Sequence, residues 1–135
     1  MTLEQIETTL PSGFLDARLR RVAVDYAERS ALLELALDAG DPESEDIGDR
    51  EAWRPAQLLL SDLLFLVVEP PVTRPQAYAG EPCITRSSPA SAEQRSRLPE
   101  VPAGAFCHAL FAANWNAWLF VAARAARLIW EPAPA

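Results

Sequence analysis

The chain contains one histidine, His108, and two cysteines, Cys83 and Cys107. Any nucleophile–base pair of the Ser-His or Cys-His kind must therefore use His108. Cys107 is its neighbour in sequence, but adjacent side chains on a strand point to opposite faces and cannot share one site. Cys107 reads as a small core residue, and His108 as a strand histidine whose ring is hydrogen-bonded. The cysteines have no C-x-x-C spacing, which argues against a zinc or redox motif and fits a reducing, cytoplasmic compartment.

Carboxylates offer the other common chemistry. Asp16, Asp25, Asp62 and Glu69 lie beside apolar runs, and paired carboxylates can do acid–base work or cleave a glycoside. Their spacing brings no two of them together, and turn or strand-end positions account for each. The glycines Gly13, Gly40, Gly48, Gly80 and Gly104 are scattered singly, so there is no phosphate-cradling G-x-G-x-x-G or Walker-type loop. No cofactor is implied, and the chain is expected not to be an enzyme.

Charge is the strongest feature. Asp38, Asp41, Glu43, Glu45, Asp46, Asp49 and Glu51 stand against the single Arg50, so residues 38–51 hold -6 of the net charge of -7. Such a balance disfavours a phosphate backbone or an anionic membrane surface as a ligand. The calcium-loop pattern fails in this segment: a loop starting at Asp41 puts Asp46 where glycine is needed, and one starting at Glu43 puts Ile47 at a ligand position. What remains is a solvated loop, or a docking loop whose negative field steers a basic protein. Of the tryptophans Trp53, Trp115, Trp118 and Trp130, Trp115 sits in an Asn-Trp-Asn turn and is expected partly outside, with the other three in the core. Trp115 joins the acidic residues as a candidate docking contact.

These residues need a scaffold. With 135 residues, half of them apolar, the chain is expected to form one domain with a real core. Thr2 and Gln5 have capping-box spacing ahead of Leu3, Ile6 and Leu10, which predicts a short N-terminal helix ended by Pro11, Ser12 and Gly13. Apolar alternation then changes parity near Arg20-Arg21, as in a strand with a bulge, and resumes from Ala31 to Leu37 after a hairpin-sized gap. The run from Trp53 to Glu69 reads as two strands, or as one long strand kinked at Ser61-Asp62. Residues 70–102 hold more than half of the twelve prolines and are expected to be mostly irregular. Residues 105–130 suggest three strands, with breaks at Asn114-Trp115-Asn116 and at 124–127. A membrane span there would place His108, Asn114 and Asn116 in hydrocarbon, so a buried helix is the stronger rival. The fold expected is all-β: an antiparallel sandwich or partly closed barrel with a short N-terminal helix, the alternative being α+β with a C-terminal helix.

The stretches GFLDARLRRVAVDY, LVVEPP and NWNAWLFVAARAARLIW together resemble small bacterial proteins of unknown function built mainly of antiparallel strands. The resemblance covers both ends and the middle of the chain. Those proteins tend to carry a histidine where this chain has Leu15, beside Asp16, so a site built on that pair would be absent here. Some small proteins of this general kind serve as immunity partners for bacterial toxins, which by analogy implies a protein-binding role.

The expectation is thus a non-catalytic interaction domain that docks a basic partner through its acidic loop. Two alternatives stand beside it. One is a small-molecule-binding barrel or small enzyme with a cavity near His108. The other is a self-associating structural subunit, a homo-oligomer, using its open strand edges.

Overall fold

The computed structural model describes residues 1–40, 43, 45, 46, 52–70 and 80–132. The helix α1 (Leu3–Thr9) begins at the expected capping box. The Gln5 N–H donates to the Thr2 hydroxyl at 3.1 Å, and the Thr2 N–H donates to the Gln5 side chain at 2.8 Å. Among the described residues six strands follow: β1 (Arg18–Asp25), β2 (Ser30–Asp38), β3 (Trp53–Val68), β4 (Ile84–Pro89), β5 (Phe106–Ala112) and β6 (Ala117–Trp130). A one-turn helix, α2 (Ala92–Arg95), lies between β4 and β5.

The strands form one antiparallel sheet in the order β1-β2-β3-β6-β5-β4. Its two edges, β1 and β4, meet over a few residues. Arg18 and Cys83 form an antiparallel bridge. The Asp16 N–H donates to the Ile84 carbonyl at 2.7 Å, the Ile84 N–H to the Ala17 carbonyl at 2.8 Å, and the Leu19 N–H to the Pro82 carbonyl at 2.9 Å. The sheet is therefore a partly closed barrel, joined along a short seam, which is the all-β architecture the alternation predicts.

Period-two patterning fills the interior. Leu33, Leu35 and Leu37 from β2, Leu58 and Leu60 from β3, and Val121 from β6 are each at most 2% exposed. Burying one such side chain is worth about 1.5–3 kcal/mol. Leu3 and Ile6 of α1, with Phe14 of the turn after it, pack on this core. The Met1 carbonyl accepts from the Ala126 N–H at 2.7 Å, so the start of the chain is tied to β6 beyond the end of its pairing with β5.

Local irregularities fall where the residue pattern changes parity. The β1–β2 register shifts between Leu19 and Arg21, the bulge expected at Arg20-Arg21. The Trp53–Glu69 run is one kinked strand rather than two: Asp62 has φ 51°, and the β3–β6 register shifts between Leu63 and Phe65.

Within residues 70–102 the described part holds two short elements, β4 and α2, between irregular stretches; β4 was hidden because its sequence ITRSSP is polar and ends in proline at a sheet edge, where a missing N–H costs little. Two expectations are corrected. The last apolar block is two strands, not three, since β6 runs unbroken through 124–127 with Arg124 and Arg127 exposed. Trp53 is not a core residue: it is 41% exposed, with the Arg18 guanidinium 5.6 Å from its ring centre. Among the described residues no helix is long and apolar enough to cross a membrane.

Replacing an interior leucine should therefore cost far more than replacing its outward neighbour. Urea unfolding of Leu58→Ala is expected to show a loss of about 2–5 kcal/mol. Leu59→Ala, on the opposite face and half-buried, should lose less than half of that.

Candidate functional site

The docking residues named from sequence divide into three groups. Asp41, Asp49 and Glu51 lie outside the described residues. Glu43, Glu45 and Asp46 are exposed. Asp38, at the end of β2, has a local structural role: its Oδ1 accepts from the Gly40 N–H at 2.9 Å and from the Ala52 N–H at 3.0 Å, pinching together the two ends of the acidic segment.

Trp115 sits in the turn between β5 and β6. Asn116 there takes φ 48°, a left-handed conformation that asparagine tolerates. The Trp115 ring is half-buried, and its Nε1–H donates to the Gly80 carbonyl at 3.2 Å. Neighbouring Asn114 bonds the chain entering β4 from both ends of its amide, accepting from the Cys83 N–H at 2.9 Å and donating to the Glu81 carbonyl at 3.0 Å. The Trp115 turn is thereby fastened to the β4 side of the seam. The acidic segment reaches the β1 side of the same seam, because Trp53, where it rejoins the sheet, packs under Arg18, and Arg18 is bridged to Cys83.

A second constellation joins residues whose spacing gives no sign of it. His108 is 2% exposed and faces inward, with Cys107 on the opposite face as the strand pattern requires. Its Nε2 lies 2.9 Å from Glu7 Oε1 and 2.8 Å from Ser87 Oγ, and the Ser87 hydroxyl donates to the same Glu7 oxygen at 2.6 Å. One residue each from α1, β4 and β5 thus meet in a triangle. Because Nε2 faces a carboxylate oxygen, it carries the ring proton in this arrangement. A Ser-His-acid relay needs the serine and the acid on opposite ring nitrogens. Here both are on Nε2 and the serine proton already goes to Glu7, so the geometry is that of a clamp fixing α1 to the sheet and holds no activated nucleophile.

A sequence signal for Glu7 existed. It falls on the same helical face as Leu3, Ile6 and Leu10, a charge on a stripe that must be buried. Nothing marked Ser87, which lies in a polar strand. Glu7 also accepts, at 3.5 Å through Oε2, from the Phe14 N–H. Gly13 makes this turn workable, with φ +57° and a position where a Cβ would sit 3.0 Å from that oxygen.

Burial alone pushes the Glu7 carboxyl up, but hydrogen bonds from His108 and Ser87, the attraction of His108 and the Phe14 N–H outweigh it and hold the group below its ordinary value. The two thiols are pushed up by burial, with the Asp16 carboxylate adding to the effect at Cys83. The remaining carboxylates singled out from sequence hold turns and strand ends. Asp25 accepts from the Glu28 N–H at 3.0 Å, and Glu69 from the Trp118 N–H at 2.8 Å.

A carboxyl held low in the folded state stabilises the fold above the ordinary carboxyl value of 4.5, and that contribution is lost as pH falls through the lowered value. Glu7→Gln is expected to destabilise the protein near neutral pH, with the difference from wild type shrinking as pH is lowered towards 3 in denaturation curves. Ser87→Ala, which leaves a half-buried carboxylate short of a donor, should cost about 1–3 kcal/mol at neutral pH.

No protein-family model matches the chain, and no curated protein and no solved structure is significantly similar to it.

Proposed function

We propose that this protein is a non-catalytic interaction domain that docks a basic protein partner, with the acidic segment steering the encounter and the Trp115 turn supplying contact area. The observation that carries the reading is a juxtaposition. The segment holding -6 of the net charge of -7 leaves and rejoins the barrel beside the seam to which the Trp115 turn is fastened. A concentrated field of one sign raises association rates with oppositely charged partners, and a half-buried tryptophan beside it provides a short-range anchor. The resemblance to small bacterial proteins fits an immunity-type role in the cytoplasm, in which a basic toxin would be the partner.

The test begins with capture of binding proteins from a bacterial host lysate at low and moderate salt. It continues with association kinetics of the retained basic protein against wild type and a Glu43→Arg, Glu45→Arg, Asp46→Arg variant. Association with the variant should be at least about tenfold slower at low salt, with the difference narrowing as ionic strength rises. A rate unchanged by the three reversals would overturn the reading.

A further inference from the structure

Leucine and alanine fill much of the barrel interior, and beside the seam two buried alanines fall together. Ala112 and Ala117 face each other across β5 and β6. The space they leave is a half-enclosed cavity of about 70 Å³ between Leu19 of β1, Ile84 of β4, Leu110 and Leu119, with Trp115 at its margin. Its polar neighbours are already engaged: Glu69 accepts from the Trp118 N–H at 2.8 Å, and the Trp115 Nε1–H donates to Gly80. Apart from the Glu69 carboxylate at its margin, the lining offers an incoming molecule mainly apolar contact.

Size and surroundings narrow the occupant. An apolar protein cavity of about 150 Å³ takes a benzene molecule; one of roughly half that volume suits a branched aliphatic group of about three carbons, the size of a valine side chain or the branched end of a leucine. Across the seam, Trp53 packs under Arg18 at the base of the segment that carries Asp38, Glu43, Glu45 and Asp46. Binding energy at protein interfaces concentrates where one anchor side chain fills a desolvated pocket ringed by weaker contacts. Resting on the docking function proposed above, we infer that this cavity is the socket for a single aliphatic side chain carried on a basic segment of the partner. Charge brings the segment in, and the socket holds it.

Xenon is a probe of the socket that needs no partner. In methyl-labelled wild-type protein under xenon pressure, saturable shifts should appear at the Ile84, Leu110 and Leu119 methyls. They should be lost in Ala117→Leu or, where that variant does not fold, in Ala112→Val, and they should persist in the Glu43→Arg, Glu45→Arg, Asp46→Arg variant. With the captured basic partner, the filled variant should dissociate at least about tenfold faster with its association rate nearly unchanged, since short-range contacts act mainly on the off-rate. Absence of xenon shifts, or a partner complex indifferent to filling the cavity, would overturn the socket while leaving salt-dependent docking standing. Xenon binding without any salt-dependent basic partner would instead overturn the docking reading, and the socket's assigned occupant with it.

Discussion

The meeting of β1 with β4 is the constraint on which the rest of the molecule depends. A six-stranded sheet with leucine on one face must either pack against another layer or curl until it covers itself. This one curls, and the Arg18–Cys83 bridge with its flanking hydrogen bonds is where the two edges join. The residues that make that contact also connect what surrounds it. Arg18 reaches the base of the acidic segment through Trp53, Cys83 reaches the Trp115 turn through Asn114, and Leu19 and Ile84 border the cavity between them.

The join is short, and α1 with the turn after it packs on the core beside it. That packing explains why a half-buried carboxylate is present at all. Glu7 lies on the helical face that must be covered, and its charge is tolerated because His108 and Ser87 supply donors at 2.9 and 2.6 Å. The only histidine of the chain thus acts in the architecture, joining α1 to β4 and β5. Removing one partner would leave the others short of a hydrogen bond around the buried His108 ring, so the three residues function as a unit.

Much of the architecture was legible in the residue pattern, because it obeyed local rules. The capping box at Thr2 and Gln5, the parity change at Arg20-Arg21 and the kink at Ser61-Asp62 each have a purely local physical cause and occur where the pattern puts them. What stayed hidden depended on tertiary partners. β4 has no apolar alternation, since it is an edge strand whose outward positions carry serine and arginine. The arginines at 124 and 127 looked like a break and instead flank a change of parity within one continuous strand, whose buried positions pass from Ala123 to Ala126. Trp53 could be placed outside the core only once its cover by Arg18 was known. The Glu7–Ser87–His108 triangle joins residues up to 101 positions apart, and no spacing rule reports on such a pair. The acidic segment is the reverse case: its charge is plain in the sequence, whereas its nearness to the Trp115 turn follows from the seam.

A barrel of this size has little surface to spare, and two different properties fall side by side on one part of it: long-range negative charge, and a small, mainly apolar cavity lined mostly by strand residues. Together they suit a fast encounter followed by a specific lock, the division of labour seen where electrostatics sets the on-rate and a buried anchor sets residence time. The most direct test of that account is the amide hydrogen-exchange footprint of the captured basic partner on the full chain. Slowed exchange is expected at residues 80–84 and 112–119 together with Glu43, Glu45 and Asp46. A footprint confined to the β1–β2 hairpin and the outer face of the sheet, with the seam exchanging as in the free protein, would contradict it.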